Sequence, residues 1–159
     1  MRIPRGLTVL PLALVACATS YVPRTNSRPE LQAYVENAAR LVSELGAAEA
    51  CSAFSQSRWM RGDYYIFVNS VEDNVTTCHP LRADLVGRNQ DQMRDENGKY
   101  FARDMISAAT SPEGRGWIEY VWPRPGETAS IPKSAYVVAV TGPDGRRYMV
   151  GSGGYGMVP

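Results

Sequence analysis

The stretch Gly-Trp-Ile-Glu-Tyr-Val-Trp-Pro at residues 116–123 constrains the fold most. Its two tryptophans, tyrosine and β-branched residues favour an extended strand. Alternation then puts Trp117, Glu119 and Val121 on one face and Ile118, Tyr120 and Trp122 on the other. A strand with one face in water is polar on that face. This one is bulky on both, so the sheet that contains it must be covered on both sides, by protein or by a ligand.

The rest of the chain supplies two covers. Ser27 and Glu30 have capping-box spacing, and Pro29 is tolerated in a first helical turn. Apolar residues then recur at Leu31, Tyr34, Val35, Ala38, Leu41, Val42, Leu45 and Ala48, which predicts one long amphipathic helix to about Phe54. A second helix is expected over Tyr-Phe-Ala-Arg-Asp-Met-Ile-Ser-Ala-Ala, from the spacing of Phe101, Met105, Ile106 and Ala109. Strands are read at "YYIFVNS", "VTTCHP", "GWIEYVWP", "KSAYVVAVT" and "RRYMVGSGGY", with turns at "VEDN" and "GPDG" and a loop over "PRPGETASIPK". The order is helix, two strands, helix, three strands. That order predicts an α+β domain with a five-stranded antiparallel sheet. The long N-terminal helix covers one face, and the segment 80–115 covers the other, with room for a cavity beneath it.

At 159 residues the chain suits one domain. Its net charge of +1, with basic residues scattered among acids, argues against nucleic-acid binding. A single histidine, His79, excludes a histidine-rich metal site. The turn-rich "DQMRDENGK" lacks the first acidic ligand of a calcium loop, because Met93 falls at that position. A turn leading into the helix explains it better. Arg61-Gly62-Asp63 is read as a turn, and the glycines of "GSGGYG" as sites of close packing at the sheet's end.

The first residues read as an export signal. Arg2 and Arg5 precede an apolar run from Leu7 to Ala16 that is too short to span a bilayer. Leu14-Val15-Ala16-Cys17 resembles a bacterial lipobox, which would make Cys17 the lipidated first residue of the mature protein; a plain secretory cut after Ala18 also satisfies the small-x-small rule. The expected organisation is a signal peptide at 1–16, a polar tether at 17–28 and one domain at 29–159. Export leaves Cys51 and Cys78 as candidates for a disulfide closing a loop of moderate length. Two separately buried thiols are the other reading, because spacing alone does not fix their distance.

In order along the chain, "YYIFV" followed by "HP", "LVGRNQDQMRDENGKYF", "GWIEYVWPRP", "PKSAYV" and "VGSGGY" resemble the single Cache domains, PAS-like extracytoplasmic sensor modules of bacteria. The likeness runs from about residue 30 to Tyr155. It implies a pocket between the sheet and its cover that binds a small metabolite, often a short organic acid. The acidic turn "SVEDNV" departs from the family, whose hairpins often use glycine there. So does the end of the chain four residues after Tyr155, without an effector module. The resemblance therefore implies the sensing but not the signalling: the protein would hand its message to a partner, such as a receptor or kinase, or simply bind.

A carboxylate in a low-dielectric pocket needs a cation or several donors to replace its water. Lys133, the lysine of the family's Pro-Lys-x-x-Tyr run, is the first candidate; a strand-end lysine in solvent is the alternative. Tyr136 lies three residues on, hence on the opposite face unless Lys133 precedes the regular strand. Tyr65, Trp117, Tyr120 and Tyr155 are candidate walls with polar tips, and aromatic residues on strands equally serve as core. His79 can donate to an anion or bond a backbone carbonyl near Pro80. The leading expectation is a non-enzymatic binding protein, without cofactor, on the periplasmic side of the envelope and lipid-anchored at Cys17. An envelope interaction protein whose pocket is filled by side chains is the alternative. A hydrolase would require an acidic partner for His79 that the sequence does not supply.

Overall fold

The computed structural model describes residues 26–157. The signal peptide, Cys17 and most of the tether lie outside the described residues. The N-terminal helix α1 (Arg28–Leu45) begins as expected, with Pro in its first turn and the Ser27 side chain accepting from the Glu30 N–H. It does not run unbroken to Phe54. Gly46 takes φ +86°, returns its N–H to the Val42 carbonyl at 2.9 Å, and ends α1; the chain then re-enters a second helix, α2 (Ala47–Phe54). Glycine adopts that left-handed φ without a Cβ penalty, so the helical periodicity continues on either side of a stop.

Five strands follow: β1 (Phe67–Ser70), β2 (Thr76–Cys78), β3 (Arg115–Pro123), β4 (Ser130–Thr141) and β5 (Arg147–Tyr155), with helix α3 (Phe101–Ala109) between β2 and β3. They form one sheet in the order β2-β1-β5-β4-β3, antiparallel throughout. This is the expected α+β architecture. Strand β4 begins earlier than the loop reading of "ASIPK" allows. Pro132 pairs with Val121, which turns its N–H outward to Asp95, so the missing Pro N–H faces the side where β5 has already ended at Tyr155. A proline there leaves no ladder partner unsatisfied.

Both faces of the sheet are covered. Helices α1 and α2 bury Leu31, Val35, Ala38, Val42, Ala50 and Phe54 against Ile66, Val68, Tyr136, Tyr148 and Val150. The other face buries Tyr65, Phe67, Ile118, Tyr120, Ala135, Val137 and Met149 under Phe101, Ala102, Met105 and Ala109 of α3. Cys51 on α2 and Cys78 on β2 are joined in a disulfide with Cα atoms 5.6 Å apart, which ties the helical layer to an edge strand.

The cover on the α3 face is fastened to both edges of the sheet. At the β2 edge, Thr76 donates to Arg88 O, Gly87 to Thr76 O, and Gln90 to Asn74 O, at 2.8–3.1 Å. At the β3 edge, the Asp95 carboxylate accepts from the N–H groups of Asn97, Lys99 and Val121 at 2.9–3.1 Å, and Lys99 Nζ donates to Glu119 O at 2.6 Å. The acidic cluster that invited a calcium reading is thus a carboxylate clip for an otherwise open strand edge.

Candidate functional site

Register builds the site. Tyr120 on β3, Lys133 on β4 and Tyr155 on β5 are paired neighbours in one rung across the sheet, so all three side chains rise from the α3 face. The Lys133 ammonium lies 5.9 Å from the Tyr120 ring centre, 5.3 Å from that of Tyr155 and 4.4 Å from that of Tyr65, and it donates to the Tyr65 hydroxyl at 2.9 Å. Its residue is 1 % exposed. Tyr65 precedes β1, and its hydroxyl has Trp122 as a second hydrogen-bonding neighbour. Tyr155 donates its own hydroxyl to Pro123 O at 2.6 Å.

Two glycines make this arrangement possible. A Cβ on Gly153 would stand 2.4 Å from Lys133 Cε, and one on Gly151 would stand 2.5 Å from the Phe67 ring. The lysine stem and the phenylalanine ring therefore lie flat on the backbone of β5, which accounts for the "GSGG" run.

Among the described residues no carboxylate forms an ion pair with Lys133. The acid that acts on it is Asp63, which is itself 3.7 Å from Arg124. Burial therefore dominates. It pulls the amine down from the usual lysine range to about 7, and Asp63 only partly opposes this. The same burial pushes the hydroxyls of Tyr65, Tyr120 and Tyr155 well above the usual tyrosine range. They are neutral donors at any physiological pH.

Beside this cage is a cavity of about 40 Å³. Tyr65, Phe67, Tyr120 and Trp122 form its floor, and Leu85, Met93, Phe101 and Met105 its roof. His79 stands at one wall, with its ring 5.0 Å from Tyr65 and stacked on Phe67 at 6.3 Å. Its Nδ1 is buried with no partner. Burial first, then the positive charges of Lys133 and Arg82, lower His79 to about 4, so the ring is neutral at pH 7. Asn69, Thr76 and Gln90 complete the lining at the β1–β2 side. No group of three or more His, Cys, Asp or Glu side chains that could hold a metal occurs among the described residues.

The sequence candidates divide by face. Lys133, Tyr65, Tyr120, Tyr155 and His79 gather on the α3 side. Tyr136 and Trp117 are paired with each other on a rung that faces α1, because Lys133 lies inside the regular strand and parity holds. Tyr136 donates to Glu36 at 3.3 Å, and Arg28 lies over Trp117 at 4.6 Å. Both belong to the helix-side core. Trp122, Phe67, Asn69 and Gln90 escaped the sequence reading. Parity could have found three of them: Trp122 shares a face with Tyr120, and Phe67 and Asn69 share one with Tyr65.

A five-stranded antiparallel sheet flanked by helices on both faces is a PAS-like architecture. The sequence profile of the Cache domain matches residues 32–155, and the chain belongs to that family. Three solved structures are similar in fold. A methyl-accepting chemotaxis protein from Vibrio parahaemolyticus is 24% identical, with 80% of this chain and 87% of that one covered at a TM-score of 0.65. A Cache chemosensory domain described for its carboxylic acid recognition is 23% identical, with 80% and 92% covered at 0.66. The periplasmic sensor domain of a chemotaxis protein is 27% identical, with 80% and 89% covered at 0.60.

Proposed function

We propose that this protein is an extracytoplasmic sensor that binds a short organic acid at Lys133, anchored in the envelope through a lipid on Cys17 and read out by a receptor or kinase partner. One observation carries the reading. Among the described residues Lys133 is a fully buried amine without a counter-ion, placed beside a cavity that His79 helps to line, and His79 Nδ1 is buried without a partner. A carboxylate entering there would meet Lys133, the Tyr65 hydroxyl and the His79 Nδ1, which together can replace its water. The carboxylic acid recognised by a related Cache chemosensory domain supports the same ligand class. No helix among the described residues is long and apolar enough to cross a membrane.

The cavity volume of about 40 Å³ favours a second reading, an envelope interaction protein in which the tyrosine cage fills the pocket. Ligand pockets for larger molecules start at about 300 Å³. One thermal-shift experiment separates the two. The protein is screened against short mono- and dicarboxylates, amino acids and amines, with Lys133→Met in parallel. Stabilisation by acids that disappears in the variant supports the sensor, because only a ligand bound to the folded state raises stability. No shift with any compound sinks the sensor and leaves the filled-pocket protein.

A further inference from the structure

The cavity has a second polar end whose hydrogen-bonding sense is fixed by the protein behind it. Gln90 is 4 % exposed, and its amide nitrogen donates to Arg88 O at 2.9 Å and to Leu85 O at 3.3 Å. Both of its N–H groups are spent on carbonyls, so only the amide oxygen remains to face the cavity. Asn69, 5 % exposed, is oriented by a relay. The Asp91 carboxylate accepts from Asn74 Nδ2 at 2.9 Å, which turns Asn74 Oδ1 toward Asn69, whose Nδ2 donates to it at 2.9 Å. A carboxylate cannot donate, so the direction of the whole relay is set at Asp91. Asn69 thereby spends one N–H on the relay and keeps its oxygen and its second N–H. Asn74 holds its place in the turn at φ +49°, a conformation asparagine tolerates better than most residues.

The Gln90 amide oxygen is thus an acceptor in a lining that also contains His79 and Tyr65, the hydrogen-bond partner of Lys133. We propose that the cavity selects a short hydroxy monocarboxylic acid, with its carboxylate toward Lys133 and its hydroxyl donating to the Gln90 amide oxygen. This rests on the acid-sensor reading above and adds the ligand class to it. A dicarboxylate would set its second charge against the Gln90 acceptor. A keto acid would set oxygen against oxygen. The unsubstituted acid leaves the Gln90 oxygen unpaired, and a site built to hydrogen-bond a hydroxyl discriminates strongly against analogues that lack it. The cavity volume restricts the ligand to a few carbons.

The test is isothermal titration of the full chain with three matched probes: propionate, 2-hydroxypropionate and 2-oxopropionate, repeated with the four-carbon 3-hydroxybutyrate, butyrate and 3-oxobutyrate. The hydroxy acid of at least one set is expected to bind about tenfold or more tighter than both of its partners. In Gln90→Met that preference collapses toward unity. If the parent or keto acid binds as tightly as the hydroxy acid in both sets, the selectivity is refuted, and Lys133-dependent binding of those acids leaves the sensor reading standing. If none of the six binds, both are overturned. The wild-type comparison decides even if Gln90→Met fails to fold.

Discussion

Proton linkage at Lys133 gives the sharpest test of the site. The amine is buried, its hydrogen-bond partner among the described residues is the neutral Tyr65 hydroxyl, and burial lowers its pKa to about 7. The groups around it are Tyr120 from β3, Tyr155 from β5, Tyr65 before β1, His79 after β2, and Asp63 and Arg82 at greater range. The tyrosines stay neutral and His79 has lost its proton well below pH 6, so Lys133 is the group that titrates between pH 6 and pH 8. With a pKa of about 7 the ammonium fraction falls from about 0.9 at pH 6 to about 0.1 at pH 8. A carboxylate that needs the ammonium should therefore bind about tenfold more weakly at pH 8, and should take up a proton on binding there. The empty protein moves the other way. Because the folded amine has a lower pKa than the unfolded one, the unfolded chain holds more protons above pH 7, and stability rises with pH in that range. Integrated from pH 7 to pH 9, this amounts to about 2 kcal/mol. Titration calorimetry in two buffers of different ionisation enthalpy reads the proton uptake, and urea unfolding across the same pH range reads the stability. An affinity that stays flat from pH 6 to pH 8, or a stability slope unchanged in Lys133→Met, would refute the reasoning.

Four further outcomes are expected. In Gly153→Ala the new methyl would lie 2.4 Å from Lys133 Cε and 3.0 Å from Ser134 O, so acid binding should weaken about tenfold or more while overpacking costs about 1–3 kcal/mol in denaturant melts; unchanged affinity would mean the ammonium is not the anchor. Reducing the Cys51–Cys78 bridge, which closes a 27-residue separation, should lower stability by about 3 kcal/mol and free the β2 edge to exchange amide hydrogens faster. Tyr136→Phe removes a hydrogen bond on the far side of the sheet, so it should cost about 1 kcal/mol of stability and leave acid affinity within twofold; a large loss of affinity would undo the division of the site by face. Asp95→Ala strips three N–H groups of their acceptor and should destabilise the domain by about 2–3 kcal/mol, with faster exchange at Asn97, Lys99 and Val121 as the local signature.

Much of this was legible in the sequence because it follows from period and parity. The two-sided bulk of residues 117–122 required two covers, and both exist. Parity also separates Lys133 from Tyr136, but only once the start of β4 is known, and Pro132 disguised that start as loop. The break at Gly46 was invisible to periodicity because α2 continues with the same apolar spacing. What a one-dimensional reading could not supply is pairing between strands distant in sequence. Tyr120, Lys133 and Tyr155 become neighbours only through the β3–β4–β5 register, and Gln90 joins the cavity only through its bonds at the β2 edge. The direction of an amide is equally hidden: the sequence gives no sign that Gln90 spends both N–H groups on backbone.

The energetic cost of burying Lys133 and the fastening of the cover have a common logic. An amine held without a counter-ion is unfavourable for the empty fold, so something must keep the site closed against water that would solvate it. The cover does so from both sides, paired with β2 at residues 87–90 and clipped to β3 by Asp95 and Lys99. In the proposed sensor an incoming acid would remove that cost by supplying the missing anion. It would bind to a site already closed at both edges, so the main adjustment falls on the span between the two fastenings. That span carries Met93, a flexible thioether in the cavity roof, and Asp91, which sets the amide relay and whose backbone carbonyl accepts from Arg103 of α3 at 2.5 Å.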